Sequence, residues 1–166
     1  MRILSRLLVV SLVLGIAGCT NATSDNDSSS AGAGSTDGGS VSDQTSAAYF
    51  QQAVGDRVLF PVDQSTLTDV ARTTLVAQAD WLSQNIDYKA IIEGHADEQG
   101  TREYNIALGA RRADAAREFL ISRGVAGNRL QVVSFGKERP LEICSDETCY
   151  SKNRRAVTVL AGGLTG

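Results

Sequence analysis

From Thr20 to Ser46 the chain runs through twenty-seven residues of Ser, Asp, Gly, Asn, Thr and Ala, interrupted only by Val41 and Gln44 and without an aromatic side chain. Such a stretch has too little apolar surface to offset the entropy of ordering it, which predicts a flexible tether. Its root-mean-square span is about 29 Å and its stretched reach about 90 Å. This feature leaves a short N-terminal segment and one foldable region, about Ala47 to Leu160, long enough for a single domain with a modest core.

The N-terminal segment reads as an export signal: Arg2 and Arg6 precede the apolar run LLVVSLVLGIAG. Twelve residues of helix cover about 18 Å, short of the ~30 Å of a bilayer core, which argues against a spanning anchor. Ile16-Ala17-Gly18-Cys19 resembles a bacterial lipobox, in which Cys19 is acylated and becomes the mature N-terminus. The alternative is an ordinary cleaved signal with an incidental cysteine. Several acyl chains would hold the protein on a membrane, at about 0.8 kcal/mol for each buried CH₂. Thr20, rather than aspartate, follows the cysteine and points to the outer membrane. The expected division is therefore signal 1–18, acylated N-terminus and tether 19–46, folded domain 47–161 and tail 162–166.

Without residues 1–18 the chain holds fourteen basic against nineteen acidic side chains, a formal charge of -5. Nothing in that balance favours nucleic acid, whose backbone needs clustered positive charge. In an exported protein, Cys144 and Cys149 read as a disulfide rather than a metal site, since no further Cys or nearby His completes a ligand set. Two free thiols are the alternative. A bridge there would stabilise by roughly 2 kcal/mol in the chain-entropy model.

Within the domain, Arg57 to Phe60 predicts a short strand ended by Pro61. Ser65 or Thr66 can cap a helix that carries Leu67, Ala71, Leu75, Ala79 and Leu82 on one stripe up to about Asn85, with Trp81 at its edge. YKAIIEG predicts a second strand. A second helix from about Arg102 carries Ile106, Gly109, Ala113, Ala116 and Leu120 and stops at Gly124. Small residues at 109, 113 and 116 let that helix lie close to a sheet. LQVVSFG and RAVTVL supply two more strands, separated by the cysteine loop. This alternation predicts a two-layer α/β domain, helices packed on a four-stranded sheet, rather than a barrel or bundle.

The segment GHADEQGTREYNIALGARR, Gly94 to Arg112, concentrates the charge chemistry and contains the only histidine. His95, Asp97 and Glu98 are expected in the loop that feeds the second helix, where orphan N–H groups and the positive helix end favour anions. Asn105, Leu108 and Arg112 follow at steps of three and four and share a face, while Arg111 is turned about 100° away toward water. Asp97 can accept from an ammonium, and Arg112 can offer a donor fork to a carboxylate. Together they suit a zwitterionic amino-acid headgroup; the competing reading is a structural salt bridge between loop and helix. Catalysis has less support. There is no GxSxG, and a metal site built on His95 and Asp97 with Glu93 or Glu98 would be weak with one imidazole. Lys152-Asn153-Arg154-Arg155 reads either as a solvated basic turn or as a donor rim toward an acidic ligand.

FPVDQSTL from Phe60, EGHADEQGTREYNIALGARRADAAREFL from Glu93, SFGKERP from Ser134 and YSKNRRAV from Tyr150 together resemble the OmpA-like peptidoglycan-binding domain family, in order and across the whole foldable region. With the lipobox and tether, the chain is similar to the peptidoglycan-associated lipoproteins of that family. The resemblance implies a mixed four-stranded sheet and a periplasmic domain tethered to the outer membrane. It implies noncovalent binding of the meso-diaminopimelate in the peptidoglycan stem peptide, without a cofactor or turnover. Asp97 and Arg112 would grip the diaminopimelate head, Asn105 and Leu108 would shape the pocket, and Phe60, Asp63 and Arg155 would line its edge. The periplasmic protein TolB, and through it the Tol system active in division, is the implied protein partner, in competition with the wall if the surfaces overlap. Pro61 and Gln99 depart from the acidic residue and the arginine common in such sequences, and the Cys144–Cys149 loop departs as well. Two readings compete: a metal-dependent peptidoglycan hydrolase centred on His95 and Asp97, and a related envelope lipoprotein outside the Tol system.

Overall fold

In the computed structural model, residues 39–162 are described. The signal, Cys19, the first part of the tether and residues 163–166 lie outside the described residues. A short helix α1 (Ala47–Tyr49) runs on into π-helical turns over Phe50–Gly55. Then follow β1 (Arg57–Leu59), α2 (Asp69–Gln84), β2 (Lys89–His95), α3 (Arg102–Ser122), a 3₁₀ turn (Gly127–Arg129), β3 (Leu130–Gly136), α4 (Glu147–Asn153) and β4 (Arg155–Ala161). The four strands form one sheet in the order β1-β4-β2-β3. β2 and β3 run parallel, while β4 is antiparallel to both β1 and β2. A parallel neighbour needs a long crossover, and α3 supplies it. The expected two-layer α/β domain with a mixed four-stranded sheet is what the chain forms.

The helix α2 starts later than expected. Thr68, not Ser65 or Thr66, is its cap, with the hydroxyl accepting from the Ala71 N–H at 3.1 Å. Ahead of the cap the chain is irregular and buries Leu67, and the helix begins once that side chain is placed. Ala71, Leu75, Ala79 and Leu82 form the buried stripe. Trp81 packs between Phe50 and Tyr88, with ring centroids 4.9 and 5.1 Å away. A buried indole N–H needs an acceptor, and it donates to the carbonyl of Gln44 at 2.7 Å. Ser46, nearly fully buried, caps α1 by accepting from the Tyr49 N–H at 3.0 Å. The ordered chain thus includes Gln44 and Ser46, inside the segment whose composition reads as tether.

The long helix α3 is capped by Thr101, accepting from the Tyr104 N–H at 3.2 Å, and is left through Gly124 at φ 98°. It lies on the sheet at backbone distance. A Cβ on Gly94 would fall 1.8 Å from the carbonyl oxygen of Gly109, and one on Gly109 would fall 2.5 Å from the Ser134 Oγ. Leu75, Leu82, Ile92 and Leu120 are fully buried between helices and sheet, each contributing about 1.5–3 kcal/mol by leaving water. The segment between β3 and β4, expected as a loop, contains α4. Asp146 caps it by accepting from the N–H groups of Thr148 and Cys149 at 2.8 and 3.3 Å. Cys144 and Cys149 are joined in a disulfide, Cα atoms 5.8 Å apart, as the spacing suggested. No helix among the described residues is long and apolar enough to cross a membrane.

Candidate functional site

One end of the sheet gathers the end of β1, the end of β2, the start of α3, the end of β3 and the junction of α4 with β4. The loop between β2 and α3 shapes a cleft of about 320 Å³ there. Asp97, Gln99 and Gly100 form one wall, Val62 and Asp63 the other, and Tyr104, Asn105 and Leu108 of α3 the rest. Gly100 takes φ 88°, which lets the loop turn into the helix. The Asn105 side chain, buried, donates to the Gln99 carbonyl at 2.7 Å and holds that turn. Lys137 clamps the same loop from β3's side, donating to the carbonyls of Gly100 at 2.7 Å and Glu98 at 3.3 Å. Across the mouth, the Tyr104 hydroxyl donates to the Asp63 carboxylate. Asp63, at φ 57°, is the one non-glycine at positive φ among the described residues, a conformation aspartate tolerates better than most.

Asp97 presents its carboxylate at the cleft while staying mostly buried. One oxygen accepts from the Gln99 N–H at 3.3 Å and the other from Arg154 at 3.1 Å. Arg154 donates also to Glu147 of α4 and to the Phe60 carbonyl at 3.2 Å. The ion-pair partner of Asp97 is therefore Arg154, and among the described residues no ion pair joins Asp97 to Arg112. That overturns the solvated-turn reading of the basic cluster, since Asn153, Arg154 and Arg155 are all buried. Arg154 escaped assignment because its role depends on a helix, α4, that shows no apolar periodicity in seven residues.

Arg112 lies behind the cleft, fully buried. Side chains on a helix lean toward its N-terminus, so Arg112, well inside α3, reaches back to the loops that precede it. It donates to three backbone carbonyls: Gln64 at 2.8 Å, His95 at 2.9 Å and Pro61 at 3.1 Å. Its guanidinium carbon stands 5.4 Å from the centroid of Phe60. Burial lowers its pKa to about 10, against the attraction of Asp97 and Asp63, so it remains a cation at neutral pH. Of its five N–H groups, three serve those carbonyls.

The other expected residues separate. Asp63, Asn105 and Leu108 line the cleft. Phe60 is buried under the Pro61–Gln64 turn, as core rather than rim. Arg155 is not among the cleft's lining residues; it donates to the carbonyls of Arg139 at 3.2 Å and Asn153 at 3.4 Å. His95, expected in the loop, is the last residue of β2. Its ring sits beside Phe135, centroids 5.6 Å apart, with its Nε2 3.6 Å from Glu93 and outside the cleft lining. Burial first, then the cations Arg155 and Arg139, lower its pKa to about 4. Tyr104 and Gln99 complete the cleft and were not expected to; an aromatic residue in the first turn of a capped helix was the available signal for Tyr104. A larger groove of about 540 Å³ runs along β1 and the start of α2, but its lining has Arg57 and Lys152 and no carboxylate.

Residues 59–154 match the model of the OmpA family. The peptidoglycan-associated lipoprotein of Mesorhizobium japonicum is 48% identical over 156 residues, covering 94% of this chain and 91% of that protein. The peptidoglycan-associated lipoprotein of Haemophilus influenzae is 42% identical over 151 residues, covering 91% and 94%. The crystal structure of the peptidoglycan-associated lipoprotein from Burkholderia pseudomallei superposes with a TM-score of 0.64 at 34% identity, over 67% of this chain and 96% of that one. The C-terminal domain of Helicobacter pylori MotB shares the fold, with a TM-score of 0.60 at 19% identity over 64% of this chain and 84% of that one. The chain belongs to the OmpA family, among its peptidoglycan-associated lipoproteins.

Proposed function

We propose that this protein is an outer-membrane lipoprotein, acylated at Cys19, whose periplasmic domain binds peptidoglycan without turnover. The cleft takes the meso-diaminopimelate of the stem peptide. The observation that carries this reading is the distribution of charge around the cleft: two carboxylates, Asp97 and Asp63, line it, and a buried guanidinium, Arg112, stands directly behind. Carboxylates at the surface receive the ammonium of an amino-acid head. The positive field of Arg112, buried behind the lining, favours the neighbouring carboxylate. Asn105 and Leu108 shape the floor. Phe60 acts from beneath, holding Arg112 in place, and Arg155 braces the strand end beside the cleft. Because Arg112 is already held by backbone, little side-chain entropy is lost when ligand arrives.

The resemblance to Tol-associated lipoproteins supports TolB as the protein partner, linking the outer membrane to the Tol system during division. The open acidic cleft beside exposed Val62 gives a surface that wall and protein would share. Sedimentation with diaminopimelate-type peptidoglycan tests the site. Asp97→Ala, folded by circular dichroism, is expected to remain in the supernatant, with affinity lowered by roughly 2–5 kcal/mol. Full retention on the wall would remove Asp97 from the site. Equilibrium binding of purified TolB, with and without wall fragments, tests the partner; absence of a complex would place the protein outside the Tol system.

A further inference from the structure

The disulfide loop and α4 do not line the cleft, yet their side chains end on the loop that supplies its acidic wall. One carboxylate oxygen of Glu98, the neighbour of Asp97, accepts from the Ser145 hydroxyl at 3.0 Å and the Tyr150 hydroxyl at 2.9 Å. Arg154, which follows α4, divides its guanidinium between Asp97 and Glu147. Ser145 and Glu147 lie inside the ring closed by Cys144 and Cys149, and Tyr150 is the next residue. The contacts on Glu98, and the Glu147 side of Arg154, therefore depart from the bridged segment or from the residue beside it.

Such contacts at a surface contribute little one by one, because ordering both partners costs most of the gain. The segment has no core of its own to order it. Ile143 is 89% exposed, and from Leu141 to Asn153 the one buried apolar residue is Cys149, itself half of the bridge. A covalent closure limits the conformations open to Ser145, Glu147 and Tyr150, and so lowers the cost of presenting all three at once. We propose that the Cys144–Cys149 loop is a positioning element of the wall site: through Ser145 and Tyr150 on Glu98, and Glu147 on Arg154, it sets where the Asp97 carboxylate stands in the cleft. The proposal rests on the reading that this cleft takes the diaminopimelate head. Opening the bridge leaves the core in place and slackens the hold on Glu98 and Arg154, so affinity falls before the fold does.

The experiment compares wild type, Cys144→Ser/Cys149→Ser, Tyr150→Phe, Glu98→Ala, Glu98→Gln and Asp97→Ala for sedimentation with diaminopimelate-type peptidoglycan, at temperatures where urea titration shows each to be folded. The bridge-free protein and Tyr150→Phe are expected to bind about three- to tenfold more weakly, the scale of one ordinary hydrogen bond. Glu98→Gln, which keeps an acceptor oxygen, retains more binding than Glu98→Ala. Combining Glu98→Ala with Tyr150→Phe is expected to lose little beyond Glu98→Ala alone, since both act through one contact. A purely stabilising bridge would instead lower the urea midpoint and leave affinity unchanged. Wild-type affinity in the bridge-free protein and in Tyr150→Phe, or losses that simply add, overturns the proposal. If the bridge-free protein does not fold, Tyr150→Phe and the Glu98 pair decide by the same criteria. Loss of binding in Asp97→Ala alongside those wild-type affinities leaves the cleft reading standing without the positioning role, whereas full binding by Asp97→Ala removes both.

Discussion

Two arginines close this domain at opposite ends of β2, and both donate to backbone carbonyls. Arg129 donates to Leu82 at 3.0 Å, to Asn85 at 2.9 Å and to Tyr88 at 2.9 and 2.6 Å. Arg112 donates to Pro61, Gln64 and His95. At Arg129 the acceptors include the last carbonyls of α2, whose negative helix end suits a cation, and the side chain is only half-buried. At Arg112 the guanidinium is fully buried, and the nearby charges are Asp97, Asp63, Arg154 and Arg111. The same fastening is structural where carbonyls alone balance it. In the proposed wall site it forms the back wall, where carboxylates converge in front of it.

The comparison breaks most readily by removing each cation. Arg112→Met takes a buried donor from three carbonyls and leaves that of His95 unpaired by it, and is expected to cost roughly 3–5 kcal/mol of stability and to abolish retention on the wall. Arg129→Met is expected to cost about 1–3 kcal/mol, with water replacing part of the loss, and to leave wall affinity per folded molecule unchanged. Urea unfolding and sedimentation measure both, and equal effects on binding would end the distinction.

Acid sharpens it next. His95 sits at the Arg112 end, near Glu93, Arg139 and Arg155, with a folded pKa of about 4. Its unfolded value is about 6.5, so the unfolded chain takes up a proton first as pH falls. Stability from this group is complete above about pH 6.5 and declines toward pH 4, by roughly 2–3 kcal/mol over the window. Urea midpoints between pH 7 and pH 4 should show that slope, and His95→Gln should flatten it. An unchanged slope in His95→Gln would assign the acid sensitivity elsewhere.

The smallest effect concerns helix caps. Thr101→Ala and Thr68→Ala each remove one capping acceptor and are expected to cost about 1 kcal/mol. Only Thr101→Ala, next to the Gln99–Asn105 turn, should also weaken wall binding; calorimetric unfolding beside the sedimentation assay separates the two.

The parts of the fold legible in the sequence were those with long-range repetition. The stripe on α2, the small residues of α3 and the apolar runs of β2, β3 and β4 each repeat a period over two turns or several strand residues, so they announce both element and buried face. α4 is too short to repeat, and the cap of α1, Ser46, lies where composition reads as tether; Trp81 and its need for an acceptor hold the Gln44 end. Within the site, Asp97, Asn105, Leu108 and Arg112 were accessible from loop chemistry and helical phase. Their pairing was not, because Arg154 is fifty-seven residues from Asp97 and its approach depends on where β4 enters the sheet.

Composition and periodicity alone determined an α/β domain, its main helices and strands, and the charged segment from Gly94 to Arg112, because hydrophobic patterning and conformational entropy act locally along the chain. Tertiary structure alone decided that Arg112 is a buried clasp on three carbonyls, that Arg154 takes the ion pair with Asp97, and that a disulfide loop ends on Glu98. Those outcomes depend on which strand ends meet at one edge of the sheet, and burial there determines which charges must find partners and which stay open to a ligand.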